Sequence, residues 1–95
     1  VFNKLFGPSI YLTVLDLFLK KQESMMNLRE IARMVGKNPG SVSRVMPRLL
    51  EAGLVKQIRV GKKMYAYHLN KENETTKLII EFHEKLRSCK KYKHN

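Results

Sequence analysis

The side chains in this 95-residue chain best suited to chemistry are clustered cations that outnumber the acids near them in sequence. Gly40, Ser41, Ser43, Arg44, Pro47 and Arg48 share a spacing that places them on one side of a helix from Pro39 to Ala52. An arginine displayed there presents a planar fork of donors that matches guanine O6 and N7. Arg44 is therefore the candidate for contact with a base edge, and Arg48, one turn on, is better placed for a phosphate. The small residues Gly40 and Ser41 let a sugar-phosphate strand come close, where their backbone N–H groups and the helix dipole favour an anion. Arg33, Lys37 and Asn38 flank the preceding turn and are expected to grip the backbone. A second group, Arg59, Lys62 and Lys63, is expected at an adjacent minor groove or its phosphates. Phosphate contacts position a protein and base contacts specify sequence, so most of these charges should govern affinity.

Other chemistries find little support. Gly36, Gly40 and Gly53 suit a turn, a helix start and a helix end, and none belongs to a phosphate-binding loop. The acids are scattered, with no pair disposed for acid–base catalysis, and Ser41, Ser43 and Ser88 lack any recognisable nucleophile arrangement. His68, His83 and His94 share no ligand spacing and read as surface or packing residues. No metal, cofactor or enzymatic role is expected. The one cysteine, Cys89, rules out an internal disulfide framework and falls on an apolar helical stripe.

The formal net charge is +11, and its placement is more telling than its size. Nine Lys or Arg and one acid, Glu51, lie between Ile31 and Lys71, and five more cations without an acid follow Glu84. Surface charge kept for solubility normally mixes signs. Clustering of one sign instead favours a polyanion, whose condensed counterions are released on binding. The densest apolar run, Ile10 to Leu19, is interrupted by Thr13 and Asp16 and is too short to span a bilayer. No secretory signal is recognisable, so a soluble, cytoplasmic protein on the nucleoid is expected, with no membrane partner.

The elements that must hold these side chains can be read from periodicity and caps. Phe6-Gly7-Pro8-Ser9 leads into a first helix from Ile10 to Lys21, apolar on more than one side and so expected to be covered on more than one side. The stretch Lys21 to Met26 reads as a loop, with Met25 and Met26 as gap-fillers. Asn27 and Glu30 match a capping box opening a short helix that Gly36 ends. Asn38-Pro39 opens the third helix, whose inner stripe is Val42, Val45, Met46, Leu49 and Leu50 and which stops at Gly53. Pro47 removes one hydrogen bond inside it and predicts a kink or local loosening. Lys56 to Leu69 reads as a hairpin turning at Gly61-Lys62, which pairs Ile58 with Tyr65 and Lys56 with Tyr67 and packs both tyrosines. Asn70 is predicted to cap a last helix with the stripe Leu78, Ile79, Phe82, Leu86 and Cys89.

The expected fold is thus mainly α with a β-hairpin, a winged helix-turn-helix filling residues 1–95 as one domain. It comprises a three-helix core, the helix-turn-helix proper over 27–53, a two-stranded wing over 55–69 and a C-terminal helix over 70–91. Helix 39–52 would enter the major groove of double-stranded DNA, with the wing tip, 59–63, beside it.

The stretch NLREIARMVGKNPGSVSRVMPRLLEAGLV, Asn27 to Val55, resembles the helix-turn-helix of archaeal and bacterial ArsR/MarR-like winged-helix regulators. GKKMYAYHLNKEN, Gly61 to Asn73, looks like their wing and its exit into the last helix, and Leu5-Phe6-Gly7 is similar to small archaeal members. The resemblance implies a transcriptional regulator acting as a homodimer on a palindromic operator. It does not extend to metal sensing, because the Cys- and His-rich sites of the arsenic-type repressors are missing. Two apolar helices in so small a domain also predict a two-fold interface, formed by Leu12, Leu19, Leu78, Phe82 and Leu86. The competing function is an architectural nucleoid protein that uses the same basic surface with little sequence preference. A third, a protein-docking module, is disfavoured by the crowding of cations around Arg44.

Overall fold

A computed structural model describes residues 2–89. The elements are α1 (Phe2–Phe6), α2 (Ile10–Lys20), β1 (Met26–Asn27), α3 (Leu28–Val35), α4 (Pro39–Glu51), β2 (Val55–Arg59), β3 (Tyr65–Leu69) and α5 (Glu74–Ser88). The predicted tail beyond Cys89, including Lys90, Lys91, Lys93 and His94, lies outside the described residues.

Local chemistry sets the helix boundaries. Ser9 caps α2 by accepting from the Leu12 N–H at 3.0 Å. The capping box is complete: Asn27 Oδ1 accepts from the Glu30 N–H at 2.9 Å, and Glu30 Oε1 accepts from the Asn27 N–H at 2.8 Å. Gly36, at φ 71°, ends α3 in the left-handed region, and its N–H reaches the carbonyls of Ala32 and Arg33. Asn38 then caps α4 through the Ser41 N–H, 2.8 Å away. The chain thereby passes from one helix to the next within three residues, Gly36 to Asn38.

α2 is the central post. Val14 and Phe18 are fully buried and Leu15 and Leu19 nearly so, packed with Ile31, Val42, Met46 and Leu49 from α3 and α4. The coverage expected from its apolar circumference is observed, with α1, α3, α4 and β3 all against it. α4 is continuous from Pro39 to Glu51 through Pro47. Pro47 lies on the exposed side, where water can satisfy the carbonyl that its missing N–H would have bonded.

Four features depart from the sequence expectation. First, a short helix, α1, precedes the turn at Gly7, and its Phe2 is buried. Second, the supposed loop ends in β1, which pairs with β3 and makes a three-stranded antiparallel sheet of order β1-β3-β2. Third, the hairpin is shifted by one residue: Ile58 pairs with Ala66 and Lys56 with His68, while Tyr65 faces Arg59. The Val60 N–H donates to the Met64 carbonyl at 2.8 Å, so the loop holds three residues, Gly61 to Lys63. A one-residue slip changes which side chains share a face. Tyr67 packs on the core as expected, but Tyr65 stays exposed.

The fourth departure concerns α5, which starts three residues later than expected. Asn73, and not Asn70, is its cap, accepting from the Thr76 N–H at 3.2 Å. Its inner face is Thr76, Ile79, Ile80, His83 and Leu86, whereas Leu78 and Phe82 point outward. The rotation is set by long-range polar contacts. The Gly53 carbonyl accepts both from Asn70 Nδ2 at 3.1 Å and from the buried Thr76 hydroxyl at 3.2 Å. Gly53 itself has φ +78°, and a Cβ there would meet Asn73 Nδ2 at 2.5 Å.

Candidate nucleic-acid interface

α4 turns Val42, Met46 and Leu49 into the core and leaves the opposite side uncovered by its own chain. Gly40, Ser43, Arg44 and Arg48 are exposed on that side and Ser41 is half-buried, while Arg33, Lys37 and Asn38 are exposed just before it. All of these positions except half-buried Ser41 are thus open to solvent.

Their internal bonds differentiate them. Asn38 Oδ1 holds the Ser41 N–H, so that donor is engaged in the helix cap and is not available to a phosphate. A Cβ at Gly40 would meet Asn38 Oδ1 at 3.3 Å, a tight contact that keeps this corner bare. The Ser43 hydroxyl donates to the Gly40 carbonyl at 2.9 Å. Arg48 lies over the Tyr11 ring of α2, its Cζ 4.8 Å from the ring centroid, a cation–π contact that restrains the guanidinium at the α2–α4 junction. Tyr11 was not recognisable from sequence as a partner of Arg48, because the two lie on different helices.

At the wing, Arg59 bends over its own loop. Its Nε donates to the Gly61 carbonyl at 3.2 Å, and Nη2 donates to the Lys62 carbonyl. Arg59 thus braces the three-residue turn, and Lys62 and Lys63 are the cations displayed at its tip. Three acids elsewhere are paired with cations: Glu72 with Lys56 at 3.5 Å, Glu81 with Lys85 at 3.6 Å, and Glu23 with Lys71. By contrast Arg33, Lys37, Arg44, Lys62 and Lys63 have no ion-pair partner among the described residues. A cationic surface left uncompensated by its own protein is suited to attract a polyanion.

The residues expected at a two-fold interface separate into three groups. Leu19 is 2% exposed inside the core, so it is removed from that set. Leu12 and Leu86 are half-buried and pack on the domain's own core. Leu78 and Phe82 are exposed, and Phe82 stacks on Phe2 at a centroid distance of 5.8 Å, with Phe6 beside Phe2 at 6.0 Å.

Beneath these aromatic rings His83 is buried, its Nε2 3.8 Å from Asp16 Oδ1. Burial pushes the His83 pKa below its ordinary value, although the Asp16 carboxylate pulls the other way. Among the described residues there is no cluster of His, Cys, Asp and Glu arranged to hold a metal ion, and no helix is long and apolar enough to cross a membrane.

A capped helix pair with a tight turn, a bare cationic second helix and a basic hairpin define a winged helix-turn-helix DNA-binding domain of the kind found in transcriptional regulators. Residues 9–59 match the IclR helix-turn-helix domain, and the chain belongs to that family. No curated protein sequence matches it. Solved winged-helix structures share the fold at low identity. The homodimeric winged helix-turn-helix DNA-binding domain from Mycobacterium bovis aligns with TM-score 0.65 and 21% identity over 90% of this chain and 74% of its own. Reduced HlyU from Vibrio cholerae aligns with TM-score 0.63 and 20% identity over 87% and 81%. The ferric uptake regulator from Francisella tularensis aligns with TM-score 0.60 and 19% identity over 73% of this chain, which spans 58% of that protein's length.

Proposed function

We propose that the chain is a sequence-specific regulator of transcription that acts as a homodimer on double-stranded DNA. α4 enters the major groove with Arg44 on a base edge and Arg48 on the backbone. Arg33, Lys37, Asn38 and Gly40 hold one phosphate strand, Ser43 approaches the groove floor, and Lys62 and Lys63 reach the flanking minor groove or phosphates. The observation that carries this reading is the uncovered, unpaired cationic side of α4, opposite a face fully engaged in the core.

Leu78 and Phe82, with Phe6, form the centre of the two-fold contact, and Leu12 and Leu86 lie at its edge. Support comes from the exposure of three large apolar side chains on one side of the domain and from the homodimeric state of the Mycobacterium bovis domain. Two copies would set their recognition helices roughly 34 Å apart and read a palindrome, the arrangement that the ArsR/MarR-like resemblance implies.

Selection of bound sites from random DNA, followed by competition with nonspecific DNA, tests the proposal. A palindromic site that resists excess competitor is the expected result. Equal displacement from every sequence would instead favour an architectural nucleoid protein. Sedimentation of the Phe82→Glu variant should give monomers that bind half-sites without cooperativity.

A further inference from the structure

At the tip of the wing the exposed side chains are not all cations. The Val60 N–H donates to the Met64 carbonyl at 2.8 Å, which extends the register of β2 and β3 by one pair beyond Arg59 and Tyr65. Residues directly opposite in an antiparallel pair share a face, so Val60 and Met64 stand side by side. Ile58, two residues back, lies on the same face. Val60 is 50% exposed and Met64 55%, and neither belongs to the core. We propose that this pair is a wedge for DNA. Met64, backed by Val60, enters the minor groove next to the major groove that α4 occupies, parts the stack at one base step and bends the duplex. This role rests on the DNA-binding function proposed above.

A wing that met only phosphates would need cations, and exposed apolar side chains would add nothing to that contact. A wedge needs an apolar body, because it takes the place of a neighbouring base in the stack. Methionine, with an unbranched stem and a polarizable sulfur, is suited to that task. A wedge must also be stiff. Arg59 turns its guanidinium to the carbonyls of Gly61 and Lys62, so a cation that could have met a phosphate instead fixes the loop behind the apolar pair. Lys62 and Lys63 are exposed and have no ion-pair partner among the described residues, which leaves them for the phosphates on either side of the groove.

These flanking charges favour nucleic acid over an apolar protein surface. The small patch argues against a bilayer, whose interface binds in proportion to the apolar area buried. Pyrimidine–purine steps are the easiest to unstack, so the wedge would also discriminate among sequences without contacting a base edge.

The test uses the full chain and duplexes that carry 2-aminopurine in turn at each position flanking the selected site, where its fluorescence rises as stacking is lost. Wild type is expected to raise the signal about twofold or more at one step, and to bring fluorophores on the duplex ends closer together. Met64→Ala, which changes an exposed side chain, should still bind DNA and lose both signals. Met64→Lys should lose them too, although its added charge strengthens attraction to phosphates. Replacing a TA step at that position by AA should weaken wild type about fivefold or more and leave Met64→Ala unaffected.

DNA bound without unstacking at any step overturns the inference and leaves the DNA-binding function in place. Signals undiminished in both variants overturn it as well. Unstacking on every sequence alike keeps the wedge and removes sequence-specific regulation. A chain that binds no DNA removes the function proposed above and the wedge with it. If that chain bound phosphatidylglycerol vesicles and Met64→Ala did not, the tip would be a membrane contact.

Discussion

The two ends of the molecule treat polar groups in opposite ways. Where α1, α2 and α5 meet, most of them are drawn together inside the protein. Asp16 accepts from the backbone N–H groups of Phe2 and Asn3, both at 3.4 Å, and Asn3 Nδ2 donates to Thr13 Oγ1 at 2.7 Å; His83 approaches from α5 with Nε2 3.8 Å from Asp16, while among the described residues its buried Nδ1 has no hydrogen-bond partner. At the other end Arg33, Lys37, Arg44, Lys62 and Lys63 stand in solvent without an ion-pair partner among the described residues. The reason lies in burial. A polar group inside the protein must find a partner there or lose its hydration uncompensated, whereas an exposed cation keeps its water until a ligand replaces it. One end is therefore organised for folding, and the other is left open for association.

The contrast can be broken or sharpened by substitution. The largest effect should come from the core that both ends share. Phe18→Ala empties a fully buried position and should cost ~3–5 kcal/mol in denaturant unfolding. Hydrogen exchange should quicken at α4 and α5 alike; loss confined to one of them would show that the ends do not rest on a common core. Next, Arg44→Ala should leave the denaturation midpoint in place and remove ~1–3 kcal/mol of discrimination between a selected site and its single-base variants. Equal loss on all sequences would reassign Arg44 to a phosphate.

A smaller change is expected from acid. Because burial lowers the His83 pKa in the folded chain, the unfolded chain takes up that proton first. The stability attached to this group is complete above the unfolded pKa, about 6.5, declines as the pH falls through it, and levels off once folded His83 is itself protonated. His83→Gln should flatten that part of the pH profile, and an unaltered slope would mean that Asp16 offsets the burial of the ring. The smallest effect belongs to Lys62→Ala, which should change stability by less than about 0.5 kcal/mol. It should lower the slope of log affinity against log salt by about 1, equally for all DNA sequences.

The helix-turn-helix was the most legible part of this chain. Asn27 with Glu30, Gly36, and Asn38 with Pro39 make their hydrogen bonds within a turn of their own positions, so their order in the chain already names their partners. The outer side of α4 follows from its period in the same way. The wing was legible as a hairpin but not in its register, because Gly61-Lys62-Lys63 allows a loop of two or three residues. The choice rests on Arg59 bonding to two loop carbonyls and on β1 arriving from far upstream.

α5 was the least legible element of the fold, and it also governs the expected two-fold contact. Its apolar residues permit two rotations about the helix axis, one that buries Leu78 and Phe82 and another that buries Ile79, Ile80 and His83. Sequence alone determined that a helix lies there, that a basic helix-turn-helix precedes it, and which side of α4 is polar. Only the tertiary structure decided which side of α5 turns inward, that Leu19 belongs to the core, and that Arg48 lies against Tyr11. Each of these depends on partners distant in the chain, such as the Gly53 carbonyl for Thr76 and Asp16 for His83, and residues so far apart meet only when the chain has packed.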